Sequence, residues 1–373
     1  MKRILIANGA FSGMLLASIL QDNGDDNFFL GYFKNIKPEK SEALFTFFNY
    51  LIKTKKNLNF FAYKKRFSFD FQKLENDLEG NDISEIYLPI NSSTKQIYKS
   101  FKNRYPKVNF IFYEEGLMSY VKPLLDSSLR KIMQGYKSYY IFYHEKLKNL
   151  LQNSFPSINF QTIVKDDLLK NIKVVQEELS PLFNHANDYN YALVLPQYYY
   201  QNNKKKTTKV LQLYYENIKK LILNDYKIIF KDHPKAKLKY STDLKPRFNS
   251  DDFLLFEEVV SLQNSHLPNN KLLEMLEIIP VEVVAHKVKI DLVFSVYSTS
   301  LFTFQYLFNI KPQIDTKMLD NRINIFSLYP TLSALITKNT LIACNSNKKI
   351  LYTNNKLLKI LIIMLKLIHK YKE

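Results

Sequence analysis

Two adjacent carboxylates, Glu114 and Glu115, end an apolar run typical of a buried strand and precede Gly116. A carboxylate at a strand end, beside a like charge, binds a proton more tightly, which suits it to proton abstraction. The glycine allows a tight turn, so a substrate can approach the carboxylates closely. The pattern indicates a general base, and a solvated acidic turn is the alternative interpretation.

A second candidate site lies in the other half of the chain, where His233 and Pro234 follow the apolar run 228–230. Proline restrains the backbone beside the histidine, and Lys231 and Lys235 add positive charge. This group suits the binding of a phosphate. A turn histidine without a function is the alternative.

Hydroxyl side chains gather at Ser298 and Thr299, where another apolar run ends and a helix is expected to begin. They serve either as helix caps or, together with backbone N–H groups, as a phosphate site. Glu282 follows Pro280, which suits the first position of a helix, so this carboxylate falls in a first helical turn. It is placed either to bind the two hydroxyls of a ribose or to complement the helix dipole.

The elements that must position these residues alternate between short β-rich runs and segments with helical spacing. The predicted strands are Ile4–Ala7, Ile86–Leu88, Val108–Tyr113, Ala192–Leu195, Lys227–Phe230, Leu254–Phe256 and Leu292–Val296. The predicted helices are Met14–Leu20, Thr94–Lys102, Lys209–Leu223, Lys271–Leu276 and Leu301–Leu307. This alternation predicts parallel sheets covered on both faces, with ligands at the carboxyl ends of the strands. A polar segment at 181–191 divides the chain into predicted domains 1–188 and 189–373.

Glycine and cysteine counts exclude several classes of site. Among 373 residues there are 7 glycines and none beyond Gly135, so dinucleotide fingerprints and P-loops are absent. The single cysteine, Cys344, excludes a disulfide framework and Cys-based zinc or iron–sulfur sites. The other histidines lack ligand spacing, and no D-x-D pair is present, so we expect chemistry without a metal. A phosphate in the second half must be held by side chains and helix N-termini.

The charge balance favours an anionic partner. The chain carries 53 Lys+Arg against 35 Asp+Glu, a net charge of +18. No apolar run approaches the roughly 20 residues of a membrane-spanning helix, and residues 3–7 are typical of a buried first strand rather than of a signal peptide. A basic helix from about residue 355 to the C-terminus either lies on an anionic membrane surface or packs as a buried terminal helix.

The order of these signals resembles the bacterial sialyltransferases with the GT-B fold, including lipooligosaccharide sialyltransferases and polysialyltransferases. Their acidic element is matched by Glu114, Glu115 and Gly116, their H-P element by His233-Pro234, and their hydroxyl pair by Ser298-Thr299. Many members have aspartate where this chain has the two glutamates, so the carboxylates here are one methylene further out. The resemblance implies an α/β fold with two Rossmann-like domains and a cleft between them.

The resemblance also implies roles for individual residues. Glu115 resembles the general base that deprotonates the acceptor hydroxyl, with Glu114 and Gly116 beside it. On the donor side, CMP-sialic acid would be held by Lys231, His233, Pro234, Glu282, Ser298 and Thr299. Independently of the resemblance, Asn8, Gly9 and Ser12 after the first strand, and Gln197 after the strand that opens the second half, are expected to contact sugars. The implied reaction is an inverting sialyl transfer that needs neither cofactor nor metal, with a galactosyl or sialyl acceptor on a lipooligosaccharide or capsule.

Two alternatives remain from the sequence. A Kdo transferase of capsule or lipopolysaccharide synthesis would use CMP-Kdo and share H-P-like elements. A basic, non-catalytic module would bind nucleic acid or membrane, but the charges are spread along the chain, which argues against nucleic-acid recognition. The acceptor, the linkage, processivity, the oligomeric state and which of Glu114 and Glu115 is the base stay open. We expect a cytoplasmic protein, associated peripherally with the inner face of the bacterial membrane if the basic C-terminal helix binds lipid.

Overall fold

The computed structural model describes residues 2–7, 9–20, 27–31, 38–51, 71–77, 82–91, 93–116, 118–143, 145–185, 188–197, 204–234, 236, 238–263, 267–285, 287–296 and 298–315. The predicted C-terminal helix and Asn8 lie outside these residues. Two parallel sheets, each with helices packed around it, make up the described structure. We call residues 2–179 the first lobe and residues 181–315 the second lobe.

The first lobe is built on a sheet of six parallel strands in the order β2-β1-β3-β4-β5-β6. The strands are β1 (Lys2–Ala7), β2 (Asn27–Gly31), β3 (Ile83–Ile90), β4 (Asn109–Glu114), β5 (Lys137–Tyr140) and β6 (Asn159–Thr162). The helices are α1 (Ala10–Ile19), α2 (Pro38–Leu51), α3 (Phe71–Asp77), α4 (Thr94–Arg104), α5 (Met118–Leu125), α6 (Ser127–Met133), α7 (Glu145–Ser154) and α8 (Lys165–Leu179). The strand order reverses between β1 and β3, which creates a crevice at the carboxyl ends of these strands.

The second lobe repeats this plan with a five-stranded parallel sheet in the order β10-β9-β8-β12-β13. Its strands, with two short ones outside that sheet, are β7 (Pro181–Phe183), β8 (Asn190–Val194), β9 (Tyr226–Phe230), β10 (Phe253–Leu255), β11 (Val260–Leu262), β12 (Ile290–Ser295) and β13 (Lys311–Ile314). Its α-helices are α9 (Lys204–Ile222), α10 (Tyr240–Leu244), α11 (Phe256–Val259), α12 (Asn269–Ile278) and α13 (Thr299–Phe308). Here the order reverses between β8 and β12.

The spacing of the buried residues along the chain explains why these segments form strands or helices. The central strand β4 buries Phe110, Ile111 and Phe112 in succession, as a parallel strand covered on both faces must. In α8 the buried residues Leu168, Ile172, Val175 and Leu179 recur at helical spacing, and this stripe packs beside α1. None of the described helices is both long enough and apolar enough to cross a membrane.

The two lobes are joined by side-chain and backbone contacts. Gln176 on α8 donates a hydrogen bond to the Val283 carbonyl at 2.6 Å. Lys271 on α12 forms an ion pair with Glu42 on α2. The Gln263 N–H, directly after β11, donates a hydrogen bond to the Leu179 carbonyl at the end of α8, at 3.1 Å. The predicted domain boundary at 188/189 falls between the last strand of the first sheet, which ends at Thr162, and β8.

Candidate active site

Glu115 lies directly after β4, in the crevice where the order of the first sheet reverses. Ser12 of α1 donates a hydrogen bond to Glu115 Oε1 at 3.3 Å. Asn91, which follows β3, donates to Glu115 Oε2 at 2.5 Å. Residues after three neighbouring strands therefore converge on one carboxylate. Glu115 is half-buried.

The backbone of Glu115 is fixed as firmly as its side chain. Ser119 Oγ accepts a hydrogen bond from the Glu115 N–H at 2.8 Å and donates to the Ile90 carbonyl at 2.8 Å. One buried hydroxyl thus ties the ends of β3 and β4 together. Our sequence analysis missed Asn91 and Ser119. The available signal for Asn91 was weaker: it is a polar residue three positions after the predicted strand Ile86–Leu88, which in the structure continues as β3 to Ile90.

Glu114 points away from the crevice, into the protein. Its side chain is fully buried, and its Oε2 accepts hydrogen bonds from the Tyr120 hydroxyl at 2.6 Å and the Ile141 N–H at 2.7 Å. Burial raises the pKa of Glu114 to about 7, and these hydrogen bonds offset the effect in part. The two adjacent glutamates therefore differ in environment. Glu115 borders the crevice, whereas the buried Glu114 carboxyl group bonds to residues that pack behind β4.

Gly116 brings the acidic element against the second lobe. A Cβ atom at this position would lie 2.7 Å from Thr299 Oγ1, and the backbone φ of +155° is one that side-chain-bearing residues rarely adopt. Gly116 thus allows the turn after Glu115 to touch the first residue of α13. The sequence predicted a glycine-dependent close approach by a substrate here, and the structure puts Thr299 there.

The N-terminus of α13 carries the predicted hydroxyl pair. Ser298 is the N-cap residue, and its hydroxyl accepts a hydrogen bond from the Ser300 N–H at 3.3 Å. Thr299 is the first residue of the helix. One turn later, Thr303 Oγ1 lies 3.2 Å from the hydroxyl of Tyr143 in the first lobe. The positive end of this helix dipole is therefore presented beside the acidic element.

Glu282 lies in a short 3₁₀ turn, Val281–Val283, that packs near the same helix. Its side chain is 3% exposed, and burial raises the pKa of Glu282 to about 7, an effect that the backbone N–H of Glu282 and the Ser300 hydroxyl counter. The structure therefore places a buried carboxyl group, whose pKa lies near neutral pH, close to the N-terminus of α13. The sequence predicted Pro280 in the first position of a helix; in the structure Pro280 is instead the N-cap residue before this turn, and Glu282 falls within the turn as expected.

His233 and Pro234 follow β9 at the carboxyl edge of the second sheet. The neighbouring Asp232 fixes this loop, because its carboxylate accepts hydrogen bonds from the Tyr240 N–H at 2.9 Å and from the Ser241 hydroxyl. The Lys231 ammonium is buried and donates to the Leu276 and Glu277 carbonyls at the end of α12. A direct contact between Lys231 and a nucleotide stays a prediction.

Gly9 and Gln197 border the two crevices from the ends of β1 and β8. A Cβ atom at Gly9 would meet nothing within 4 Å, so this turn faces open space. Gln197 is half-buried, and the Tyr214 hydroxyl interacts with its backbone. The structure thus gathers Gly9, Ser12, Glu115 and Gly116 at one sheet edge, with Gln197, Ser298 and Thr299 at the other.

Two parallel α/β lobes of this kind define the GT-B fold, and comparison with solved structures agrees. The chain is similar to the UDP-GlcNAc 2-epimerase of Methanocaldococcus jannaschii in complex with UDP-GlcNAc and UDP, at 14% identity and a TM-score of 0.52, over 98% of this chain and 99% of that one. It is also similar to S. aureus MnaA, solved with UDP, at 12% identity and a TM-score of 0.51, over 90% and 88% of the two chains. These similarities support the predicted fold.

A family model for alpha-2,8-polysialyltransferase matches residues 42–314, which is most of the chain. The protein therefore belongs to the alpha-2,8-polysialyltransferase family, and it is a glycosyltransferase of the sialyltransferase type. A search of curated proteins gives no match. The resemblance inferred from the short motifs is thus confirmed at the level of the family.

Proposed function

We propose that this protein transfers sialic acid from CMP-sialic acid to a galactosyl or sialyl acceptor on a bacterial surface glycan, with inversion and without a metal. The observation that carries the proposal is the close approach of Gly116 to Thr299. This contact places Glu115, which precedes Gly116 in the first lobe, close to the hydroxyl-bearing N-terminus of α13 in the second lobe. A single displacement needs these two groups on opposite sides of the reacting carbon.

Glu115 is the general base in this proposal. Its carboxylate accepts the proton of the acceptor hydroxyl while the acceptor oxygen attacks the anomeric carbon. The bond from that carbon to the phosphate oxygen breaks at the same time, and CMP leaves with the electron pair. Glu115 later releases the proton to solvent. Glu114 is unsuited to this step because its carboxyl group is fully buried behind β4.

The leaving phosphate is stabilised by the second lobe. Backbone N–H groups at the start of α13, together with Ser298 and Thr299, provide donors at the positive end of the helix. His233 would add a further donor from the neighbouring β9 loop. Glu282, which lies near Ser300, would accept hydrogen bonds from the ribose hydroxyls. Such donors act most strongly when closure of the cleft excludes water.

The base assignment is tested by Glu115→Gln, which keeps the size of the side chain and removes its proton-accepting charge. We expect turnover of CMP-sialic acid to fall by about 10²- to 10⁴-fold, the usual contribution of a general base, with CMP affinity nearly unchanged. Glu216→Gln, on the exposed face of α9, is the matched control. Retention of most of the activity in Glu115→Gln would show that another group removes the proton.

The donor is tested with a thermal-shift scan of CMP, UMP, GDP and UDP, followed by turnover of CMP-sialic acid and CMP-Kdo. A rise in melting temperature with CMP alone supports a CMP-sugar, because a ligand that binds the folded state stabilises it. Faster turnover of CMP-Kdo than of CMP-sialic acid would show that Kdo, and not sialic acid, is the transferred sugar. Unchanged turnover in excess EDTA is expected for a reaction without a metal.

Membrane association is a separate part of the proposal. The basic segment from about residue 355 would hold the enzyme at the inner face of the cytoplasmic membrane, near a lipid-linked acceptor. Co-sedimentation with anionic vesicles should be lost when the chain is cut after residue 354. Equal binding of the shortened and full chains would assign the contact to another surface.

A further inference from the structure

Among the described residues, Asn91 makes the shorter of the two side-chain hydrogen bonds to the carboxylate that we assign as the base. Its Nδ2 donates to Glu115 Oε2 at 2.5 Å, whereas Ser12 Oγ donates to Oε1 at 3.3 Å. These two hydrogen bonds restrain both oxygens of the Glu115 carboxylate. They also hold the carboxylate in one orientation, which proton transfer requires.

The amide of Asn91 has only one orientation that satisfies its neighbours. Its Oδ1 accepts a hydrogen bond from the Ser93 N–H at 2.7 Å, and a backbone N–H can only donate. The Nδ2 group must therefore face Glu115, where a carboxylate can only accept. The donor and acceptor ends of this side chain are both assigned by their partners.

The backbone of Asn91 is held independently of its side chain. Its N–H donates to Thr94 Oγ1 at 2.7 Å, and the same hydroxyl donates to the Pro89 carbonyl at 2.6 Å. Ser119 links Ile90 to the Glu115 backbone, so the ends of β3 and β4 cannot shift apart without breaking that link. The backbones of Asn91 and Glu115 are therefore fixed relative to each other, so the Asn91 side chain can restrain the Glu115 carboxylate.

We propose that Asn91 is a positioning residue, which holds the Glu115 carboxylate in one orientation, aimed at the acceptor hydroxyl. The inference rests on the proposed function of Glu115. The competing explanation is that Asn91 merely forms the turn that starts α4, since asparagine commonly bonds its own backbone two residues on.

Asn91→Asp separates the two explanations. Aspartate retains the acceptor oxygen that the Ser93 N–H needs, and it forms the same turn. It replaces the amide donor by a second carboxylate facing Glu115, which favours protonation of the pair. We expect kcat to fall about 10- to 100-fold, as for other residues that orient an active group, and the acid limb of the kcat profile to move to higher pH. The KM for CMP-sialic acid should stay near its original value.

Asn109→Asp is the matched control, because it makes the same chemical change at the exposed amino end of β4, away from the crevice. Its kcat and pH profile should match those of the unaltered enzyme. Should Asn91→Asp fold poorly, Asn91→Ser retains a side-chain acceptor for the turn but is too short to reach Glu115. It should lower kcat in the same way.

The outcomes distinguish this inference from the proposed function. An inactive Glu115→Gln variant together with an Asn91→Asp variant of unaltered kcat and pH profile overturns the role of Asn91 and leaves the base in place. An active Glu115→Gln variant overturns the base itself. If Glu115 is the base and Asn91 positions it, the double variant Asn91→Asp, Glu115→Gln should lose no more activity than Glu115→Gln alone. The reason is that Asn91 acts through the carboxylate.

Discussion

Gly116 and Thr299 are separated by 183 positions in the sequence, yet a methyl group on Gly116 would overlap the Thr299 hydroxyl at 2.7 Å. The two residues belong to different lobes and stand next to Glu115 and Ser298, respectively. Their contact sets how closely the proposed base and the proposed phosphate site approach each other. The acidic element therefore supplies the proposed base and also forms part of the contact between the lobes.

Gly116→Ala should impair catalysis more than folding. The added methyl group meets the Thr299 side chain, and the φ of +155° disfavours a side chain, so Thr299 or the backbone at this contact between the lobes must shift. We expect a loss of at least about 10-fold in kcat, because small displacements of catalytic groups are costly, with destabilisation of about 1–3 kcal/mol.

Gly135→Ala is the control for backbone strain alone. Gly135 has a φ of +83°, but a methyl group there would meet nothing within 4 Å. It should lower the melting temperature and leave kcat near its original value. Equal kcat losses in the two variants would show that strain, and not the contact with Thr299, causes the defect.

The hydrogen bond between Tyr143 and Thr303 should couple the lobes energetically. The two hydroxyl oxygens are 3.2 Å apart in a buried setting, and the Tyr143 ring contacts Phe302 and Tyr306 on α13. A double-mutant cycle with Tyr143→Phe and Thr303→Val, measured by chemical denaturation, should give a coupling energy of about 1 kcal/mol.

Tyr140→Phe provides the comparison for that cycle. Its hydroxyl donates to the Ser119 carbonyl at 3.1 Å, within the first lobe. Loss of this bond should lower stability without coupling to Thr303→Val. A coupling near zero for Tyr143 as well would mean that the bond between the lobes adds nothing to stability.

Stability should fall as pH rises from about 4.5 to about 7. Burial raises the pKa of Glu114 and of Glu282 from 4.5 to about 7, so the folded protein retains protons that the unfolded chain releases in this range. The favourable contribution is complete below pH 4.5 and lost above pH 7. It amounts to on the order of 3 kcal/mol for each residue.

Glu114→Gln and Glu282→Gln should each reduce the slope of unfolding free energy against pH in that window. Urea denaturation at several pH values measures this slope. Glu216→Gln, on the exposed face of α9, is the control. A slope that is unchanged in both buried variants would show that these carboxyl groups bind no extra proton on folding.

The sequence predicted the strands whose central residues are continuously apolar. The predicted strand Ile4–Ala7 lies within β1, and the predicted strand Val108–Tyr113 overlaps β4. Both were recognised because a strand buried on both faces needs a continuous apolar run. The short outer strands β5 and β6 were missed, since Lys137–Tyr140 and Asn159–Thr162 are polar or half-exposed. Phe256 was predicted as the end of a strand, but it begins α11.

For the candidate site, the motifs drew attention to Glu115 and Ser298, because polar residues there follow apolar runs, but they did not indicate the residues that contact Glu115. The catalytic roles of Glu115 and Ser298 stay predictions. Asn91 and Ser119 were missed, since their importance depends on which strands are neighbours, and strand order cannot be read from local patterns. The difference between Glu114 and Glu115 likewise arises from the packing of Tyr120 behind β4.

Lys231 should act on nucleotide binding through α12. Its buried ammonium lies 4.2 Å from the centre of the Phe256 ring and donates to carbonyls at the end of α12, five and six positions before Glu282. Cations at a helix C-terminus stabilise the last turn. Lys231→Met keeps the apolar stem and removes the charge, so this turn and the adjoining Pro280–Glu282 segment lose their anchor.

We expect Lys231→Met to lower the free energy of unfolding by about 1.5–3 kcal/mol, as for a hydrogen bond from a charged donor. CMP affinity, measured by calorimetry, should fall because the Glu282 carboxyl group is less well held. Lys227→Met, at the other end of β9, is the matched control. Because Lys231 acts through Glu282, its effect on CMP affinity should vanish in a Glu282→Gln background. Persistence of the effect there would instead indicate direct contact between Lys231 and the nucleotide.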